Sequence, residues 1–129
     1  MLAVRTILVV DDEEIVRTVA RAILKTRGYD ILVAGSGDAA MALMRAHPHE
    51  ICLMLLDASI AGWSGRNSAA SLLGINPHLP VIVSSGFSPD EALQHLDADR
   101  MLPFLQKPYT ASRLRDAVSL ALETRSMAA

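Results

Sequence analysis

The chain has 129 residues, of which 51% are hydrophobic and 20% are charged, and its formal net charge is −2. This length and composition predict one domain over residues 1–129, with a core over about 5–124, and exclude a disordered chain. The charge gives no basis for direct binding to nucleic acid, and no apolar run reaches the roughly 20 residues that a membrane-spanning helix needs. The single cysteine, Cys52, excludes an internal disulfide, so we expect a cytoplasmic protein.

Strand and helix patterns alternate along the whole chain. In order, the predicted elements are a strand at 6–10, a helix from 13 to 28, a strand at 29–33, a helix from 35 to 47, a strand at 51–57, a weaker helix at about 65–73, a strand at 80–85, a helix from 88, a strand at 101–106 and a last helix from 110. Short apolar runs between turn residues indicate the strands, and apolar residues at a spacing of three to four indicate the helices. Ser88, with Glu91 three residues later, forms a typical capping box, and Thr110 is placed to cap the last helix.

This alternation predicts an α/β fold. Repeated strand–helix–strand units imply a parallel sheet with helices on both faces. Their number favours the flavodoxin-like, doubly wound, five-stranded order 2-1-3-4-5. The unbroken apolar run from Ile51 to Leu56 suits a central strand that is buried on both faces. Open sheets of this kind bind ligands outside the carboxyl ends of their strands, so the residues at those ends are the candidates for function.

Polar side chains follow four of the predicted strands. They are Asp11 and Asp12 after strand one, Asp57 at the end of strand three, Ser84 and Ser85 at the end of strand four, and Lys107 after strand five. Taken singly, each is equally compatible with an ordinary cap, turn or strand exit. Together they share one edge, where converging carboxylates repel one another unless they share a cation. Hard oxygen ligands of this kind suit Mg²⁺ together with a phosphoryl group.

Five motifs on this alternation resemble the receiver domain of two-component response regulators. They are Ile-Leu-Val-Val-Asp-Asp-Glu at 7–13, Leu-Leu-Asp at 55–57, Gly-Trp-Ser-Gly at 62–65, Pro-Val-Ile-Val-Ser-Ser-Gly-Phe at 80–87 and Phe-Leu-Gln-Lys-Pro-Tyr at 104–109. The resemblance covers about residues 5–124. It implies a phosphorelay switch that catalyses only its own phosphorylation and dephosphorylation, and not an enzyme acting on other substrates.

The resemblance also implies roles for individual residues. Asp57 is expected to be the phosphoacceptor. Asp12, Asp57 and the backbone carbonyl of Ser59 are expected to bind Mg²⁺, with Asp11 joining through water. Lys107 is expected to pair with the phosphoryl group and, before phosphorylation, with Asp57.

Further positions are expected to transmit the signal. Ser85 corresponds to the switch hydroxyl, with Ser84 as the alternative, and Phe104 corresponds to the switch aromatic residue. The Lys107–Pro108 bond resembles the family's cis peptide. One departure is Ala61, where the family usually has proline, and this predicts a more mobile loop.

The expected partners follow from the same resemblance. A histidine kinase or a phosphotransfer protein would donate the phosphoryl group. A downstream protein would bind the face formed by the predicted fourth helix, the fifth strand and the last helix. Two alternatives stay open: a receiver-like scaffold that works without phosphorylation, and a receiver excised from a hybrid histidine kinase. Quenching of Trp63 by Mg²⁺ would separate the scaffold from the switch.

Overall fold

The computed structural model describes residues 5–60, 69–88, 90–91 and 102–128. The strands are β1 (Thr6–Val10), β2 (Asp30–Ala34), β3 (Ile51–Asp57), β4 (Val81–Ser85) and β5 (Phe104–Gln106). The helices bounded within these ranges are α1 (Glu14–Lys25), α2 (Gly37–Ala46), α3 (Ala69–Ile75) and the C-terminal helix (Ala111–Ala128). Neighbouring strands are parallel, in the order β2-β1-β3-β4-β5. This confirms the predicted fold class and strand order.

Some predicted element bounds were wrong by a few residues. Strand β2 lies one residue later than expected, and β5 begins at Phe104 because Pro103 has no N–H to donate to the sheet. Helix α3 continues through Gly74 and ends at Ile75, just before the break at Asn76-Pro77. The predicted start of α3 and the positions Ala61 and Trp63 lie outside the described residues, as does most of the helix predicted from Ser88.

Side-chain hydroxyls cap the helix starts, at the predicted positions Ser88 and Thr110 and also at Ser36. The Ser36 hydroxyl accepts from the Ala39 N–H at 3.1 Å, and the Thr110 hydroxyl accepts from the Arg113 N–H at 3.1 Å. The Ser88 hydroxyl accepts from the Glu91 N–H at 3.3 Å. Each bond satisfies one N–H that has no partner inside its helix. After α1, Gly28 takes a φ of +85°, a left-handed conformation that glycine adopts at little cost.

The sheet is covered on both faces. One face of the strands packs with α2 and α3, and its buried side chains include Leu8, Met54, Leu56 and Val83. The other face packs with α1 and the C-terminal helix, and its buried side chains include Ile7, Leu55, Ile82, Leu114, Val118 and Leu122. The central position of β3 therefore holds its carboxyl end rigidly at the middle of one sheet edge. In the described ranges no helix is long and apolar enough to cross a membrane.

Candidate functional site

Three carboxylates meet at the carboxyl edge of the sheet. Asp57 ends β3 and Asp11 directly follows β1, and the register pairs Val10 with Leu56, so the two aspartates lie side by side. Asp11, Asp12 and Asp57 each place a carboxylate oxygen within 4.8 Å of the others. Asp57 is 1% exposed and Asp11 is 2% exposed, whereas Asp12 faces solvent. The cluster is thus two buried acids with a third at its mouth.

Lys107 supplies the positive charge of the cluster. Its Nζ lies 2.6 Å from Asp11 Oδ2 and 3.4 Å from Asp57 Oδ2. Burial lowers the pKa of Lys107, but the hydrogen bond to Asp11 and the charges of Asp57 and Asp11 outweigh it, so the net shift is upward. The expected approach of Lys107 to Asp57 is present, and the shorter contact to Asp11 was not anticipated. One ammonium does not balance three carboxylates, so the cluster has a net negative charge that favours binding of a further cation.

The loop after β3 turns back on the Asp57 carboxylate. The N–H of Ser59 donates to Asp57 Oδ1 at 3.1 Å, and the Ser59 hydroxyl donates to the same oxygen at 3.0 Å. This is a local turn of the kind that aspartate favours. The two Asp57 oxygens therefore have different surroundings, one held by Ser59 and one facing Lys107.

The two serines at the end of β4 lie on opposite faces. Asp57 pairs with Ser84 in the register, and paired residues of parallel strands share a face, so Ser84 stands beside Asp57. Ser85 lies on the face of Val83, and its buried hydroxyl accepts from the Phe87 N–H at 2.9 Å. The expected switch hydroxyl, on Ser85, thus bonds to its own loop, and the alternative, Ser84, shares a face with Asp57.

Residues around Lys107 complete the surroundings of the cluster. Phe104 is half-buried in β5 and packs against the core on the side of α2 and α3. The Lys107–Pro108 peptide is cis, as the resemblance implied.

Tyr109 was missed by sequence reasoning. Its hydroxyl is buried without a hydrogen-bond partner among the described residues. Burial, followed by the charges of Asp11 and Asp57, raises the pKa of Tyr109 to about 12. Its position two residues after Lys107 was the only available signal.

An open groove of about 660 Å³ leads to this cluster. Its lining residues are Glu13, Val16, Val19, Ser59, Gly86, Phe87, Lys107, Pro108 and Tyr109. Glu13, Ser59 and Lys107 supply the polar part of this lining, and the remaining residues are largely apolar. The groove can therefore accept a ligand or partner that has both charged and nonpolar groups.

The donor set of the cluster fits Mg²⁺. Carboxylate oxygens are hard ligands, and Mg²⁺ is usually held by one or two carboxylates, several waters and a phosphate oxygen. Asp12 is exposed to the solvent that would supply such waters. Nitrogen and sulfur ligands, which would favour zinc, are not part of this described cluster.

Sequence comparisons agree with this geometry. The family model for the response regulator receiver domain matches residues 7–119. Sensor kinase CckA of Brucella abortus is 30% identical over 118 residues, which cover 92% of this chain and 12% of that protein. Transcriptional regulatory protein ZraR of Salmonella typhimurium is 34% identical over 117 residues, which cover 90% of this chain and 26% of that protein. The chain thus spans about a quarter or less of these two relatives.

A solved structure shows the same fold. The crystal structure of a response regulator receiver domain protein from Clostridium thermocellum superposes with a TM-score of 0.83 at 23% sequence identity. The alignment covers 98% of this chain and 100% of that one. With the family match over most of its length, the chain belongs to the response regulator receiver domain family of two-component systems.

Proposed function

We propose that this receiver domain is a phosphoacceptor switch that takes a phosphoryl group onto Asp57. The observation that carries the proposal is the buried Asp57 carboxylate, with Lys107 Nζ 3.4 Å from its Oδ2 and two further aspartates in the same cluster. A carboxylate in this setting is a nucleophile with cationic partners at hand. The donor is a histidine kinase or a phosphotransfer protein that carries phosphohistidine.

Asp11, Asp12, Asp57 and the backbone carbonyl of Ser59 would hold Mg²⁺. When bound, Mg²⁺ neutralises charge on the carboxylates and on the phosphoryl oxygens. Lys107 holds the phosphoryl oxygens from the other side of the cluster. An Asp57 oxygen attacks phosphorus, the P–N bond to the donor histidine breaks, and the imidazole nitrogen keeps the electron pair.

The groove supports an approach by a protein donor. Ile15 is 71% exposed and Val19 is 48% exposed on α1, and Phe87 is 41% exposed across the groove. Large apolar side chains that share one surface beside a reactive group are typical of a binding face. The donor would cover these residues while its phosphohistidine reaches the cluster.

The output would run through β4 and β5. Once Asp57 is phosphorylated, the hydroxyl of Ser85 turns toward the phosphate, its loop follows, and Phe104 repacks between two discrete positions. The face of the predicted fourth helix, β5 and the C-terminal helix then binds a downstream protein. We further propose a cytoplasmic location, and that the chain works either alone or as one part of a larger protein such as a hybrid histidine kinase.

The test is phosphorylation by acetyl phosphate in the presence of Mg²⁺. The wild-type chain is expected to gain one acid-labile phosphate by intact mass, and Asp57→Asn is expected to gain none. Asp38→Asn, on an exposed aspartate in the first turn of α2, is the matched control and should behave as the wild type. Acid-labile phosphate recovered from Asp57→Asn would contradict the proposal.

A further inference from the structure

Arg17 contacts the acidic cluster from outside the predicted site. It lies on α1, and its Nη1 donates to the backbone carbonyl oxygen of Asp11 at 2.8 Å. The other polar atoms of Asp11 are also engaged. Its N–H donates to the Ala34 carbonyl at 3.0 Å, Oδ1 accepts from the Glu13 N–H at 2.9 Å, and Oδ2 accepts from Lys107 at 2.6 Å. Asp11 is therefore fixed in backbone and side chain, and Arg17 supplies the bond to its carbonyl.

Gly35 gives the Arg17 guanidinium its space. A Cβ added at Gly35 would lie 3.0 Å from Arg17 Nη1, which is tighter than most real contacts of a Cβ, and 3.5 Å from Arg17 Cζ, which is an ordinary contact. Gly35 does not have a left-handed φ, so its backbone conformation does not by itself require glycine. A side chain at this position would instead have to shift the guanidinium by a few tenths of an ångström.

We propose that Arg17 is a positioning residue that orients the Asp11–Asp12 peptide for Mg²⁺ binding, with Gly35 leaving space for its guanidinium. The carbonyl that Arg17 holds belongs to the peptide unit that continues into Asp12. Fixing this plane restricts the directions in which both carboxylates leave the backbone. The effect is greatest for Asp12, which is exposed and so lacks the packing that holds Asp11. This inference rests on the Mg²⁺ site proposed above.

An electrostatic role and a positioning role of Arg17 predict opposite changes in Mg²⁺ affinity when Arg17 is replaced. A guanidinium near the cluster repels Mg²⁺, so a purely electrostatic role would make Mg²⁺ bind more tightly when the charge is removed. A positioning role makes Mg²⁺ bind more weakly. Neighbours that orient metal ligands typically change metal affinity by 10–100-fold.

The experiment is calorimetric titration of the unphosphorylated chain with MgCl₂ at fixed ionic strength. We expect Arg17→Gln to raise the Mg²⁺ Kd about tenfold. Gly35→Ala, which keeps the charge but displaces the guanidinium, should raise Kd in the same direction, and Arg17→Lys should restore part of the affinity. The double variant Arg17→Gln/Gly35→Ala should bind Mg²⁺ no more weakly than Arg17→Gln alone, because both changes break the same interaction. Arg21→Gln, an exposed arginine one turn further along α1, is the matched control and should leave Kd within about twofold.

The outcomes separate this inference from the proposed function. If the wild-type chain binds no Mg²⁺, the proposed metal site fails. If the wild type binds and Arg17→Gln binds equally well or more tightly, the positioning role alone is overturned. Melting curves in EDTA check that each variant is folded. If Arg17→Gln does not fold, unchanged Mg²⁺ affinity in Gly35→Ala overturns the inference on its own.

Discussion

Lys107 is the residue on which the charge balance of the cluster depends. Its ammonium contacts two carboxylates that are almost fully buried, so Lys107→Gln leaves like charges without a partner. Breaking a buried ion pair from one side typically costs several kcal/mol, and we expect Lys107→Gln to lower the free energy of unfolding by about 3 kcal/mol in EDTA. Urea denaturation at pH 7 measures this.

Two controls make the Lys107 result specific. Lys25→Gln, on the only other lysine of the chain, lies at the exposed end of α1 and should change the free energy of unfolding by less than about 0.5 kcal/mol. Adding Mg²⁺ should recover more stability in Lys107→Gln than in the wild type, because the ion replaces the missing positive charge. Equal gains in both proteins would count against a shared cation site.

Tyr109 carries a buried hydroxyl that the described structure leaves without a partner. A buried polar group without a hydrogen bond costs 1–3 kcal/mol, so Tyr109→Phe should raise the free energy of unfolding at pH 7 by about 1 kcal/mol. The hydroxyl also predicts a pH dependence, because the pKa of Tyr109 is raised to about 12 by burial and by Asp11 and Asp57. An unfolded tyrosine ionises near pH 10, so stability should fall as the pH rises from about 10 to about 12.

The alkaline slope has two contributors with the same sign. Lys107 also has a raised pKa, so its stabilisation is complete below its usual pKa and is lost as the pH rises further. Tyr109→Phe should therefore make the alkaline decline shallower without abolishing it. Thermal melts between pH 8 and about 11 measure the slope. An unchanged slope in Tyr109→Phe would show that the Tyr109 hydroxyl ionises at the same pH in the folded and the unfolded chain, which would contradict the raised pKa.

At the scale of elements, the alternation along β4 places the two candidate switch hydroxyls on opposite faces of the sheet. Ser84 shares a face with Asp57, and Ser85 lies on the opposite face with its hydroxyl bonded to the Phe87 N–H. The Ser85 hydroxyl already bonds to the loop that would move on phosphorylation. We therefore expect Ser85→Ala to accept phosphate on Asp57 yet lose the phosphate-dependent shifts of amide NMR signals in β5, and Ser84→Ala to retain them. The reverse pattern would assign the role to Ser84.

The elements themselves were readable from the sequence for local reasons. Apolar runs and capping residues are short-range signals, so the predicted caps Ser88 and Thr110 accept the expected N–H groups. The strand predicted at 101–106 was too long because an apolar pattern does not register the missing N–H of Pro103.

The contacts within the candidate site could be predicted from the sequence only in part. That the acids and Lys107 share an edge follows from parallel strand order alone. The bond from Lys107 to Asp11, across 96 positions, and the contact of Arg17 with the Asp11 carbonyl depend on side-chain rotamers and on packing between distant elements. Periodicity carries no information on either.

At the scale of the whole molecule, the proposed metal site links ligands from β1 and β3 and should stabilise only the folded chain. A ligand at ten times its Kd adds about 1.4 kcal/mol to the free energy of unfolding. We expect this gain from Mg²⁺ in the wild type and in Asp38→Asn, and its loss in Asp12→Asn. Urea denaturation with and without MgCl₂ measures it, and an equal gain in Asp12→Asn would remove Asp12 from the ligand set.

The near-complete burial of Asp57 has a consequence for how long a signal lasts. If Asp57 is phosphorylated, the groove lined by Ser59 and Lys107 would admit hydrolytic water by the route that is proposed for the donor. Phosphoryl transfer and hydrolysis would then use the same opening. A bound protein that covers this opening would slow hydrolysis and so prolong the phosphorylated state. The lifetime of the phosphate on Asp57 would therefore depend on the partner bound over the groove as much as on the side chains around Asp57.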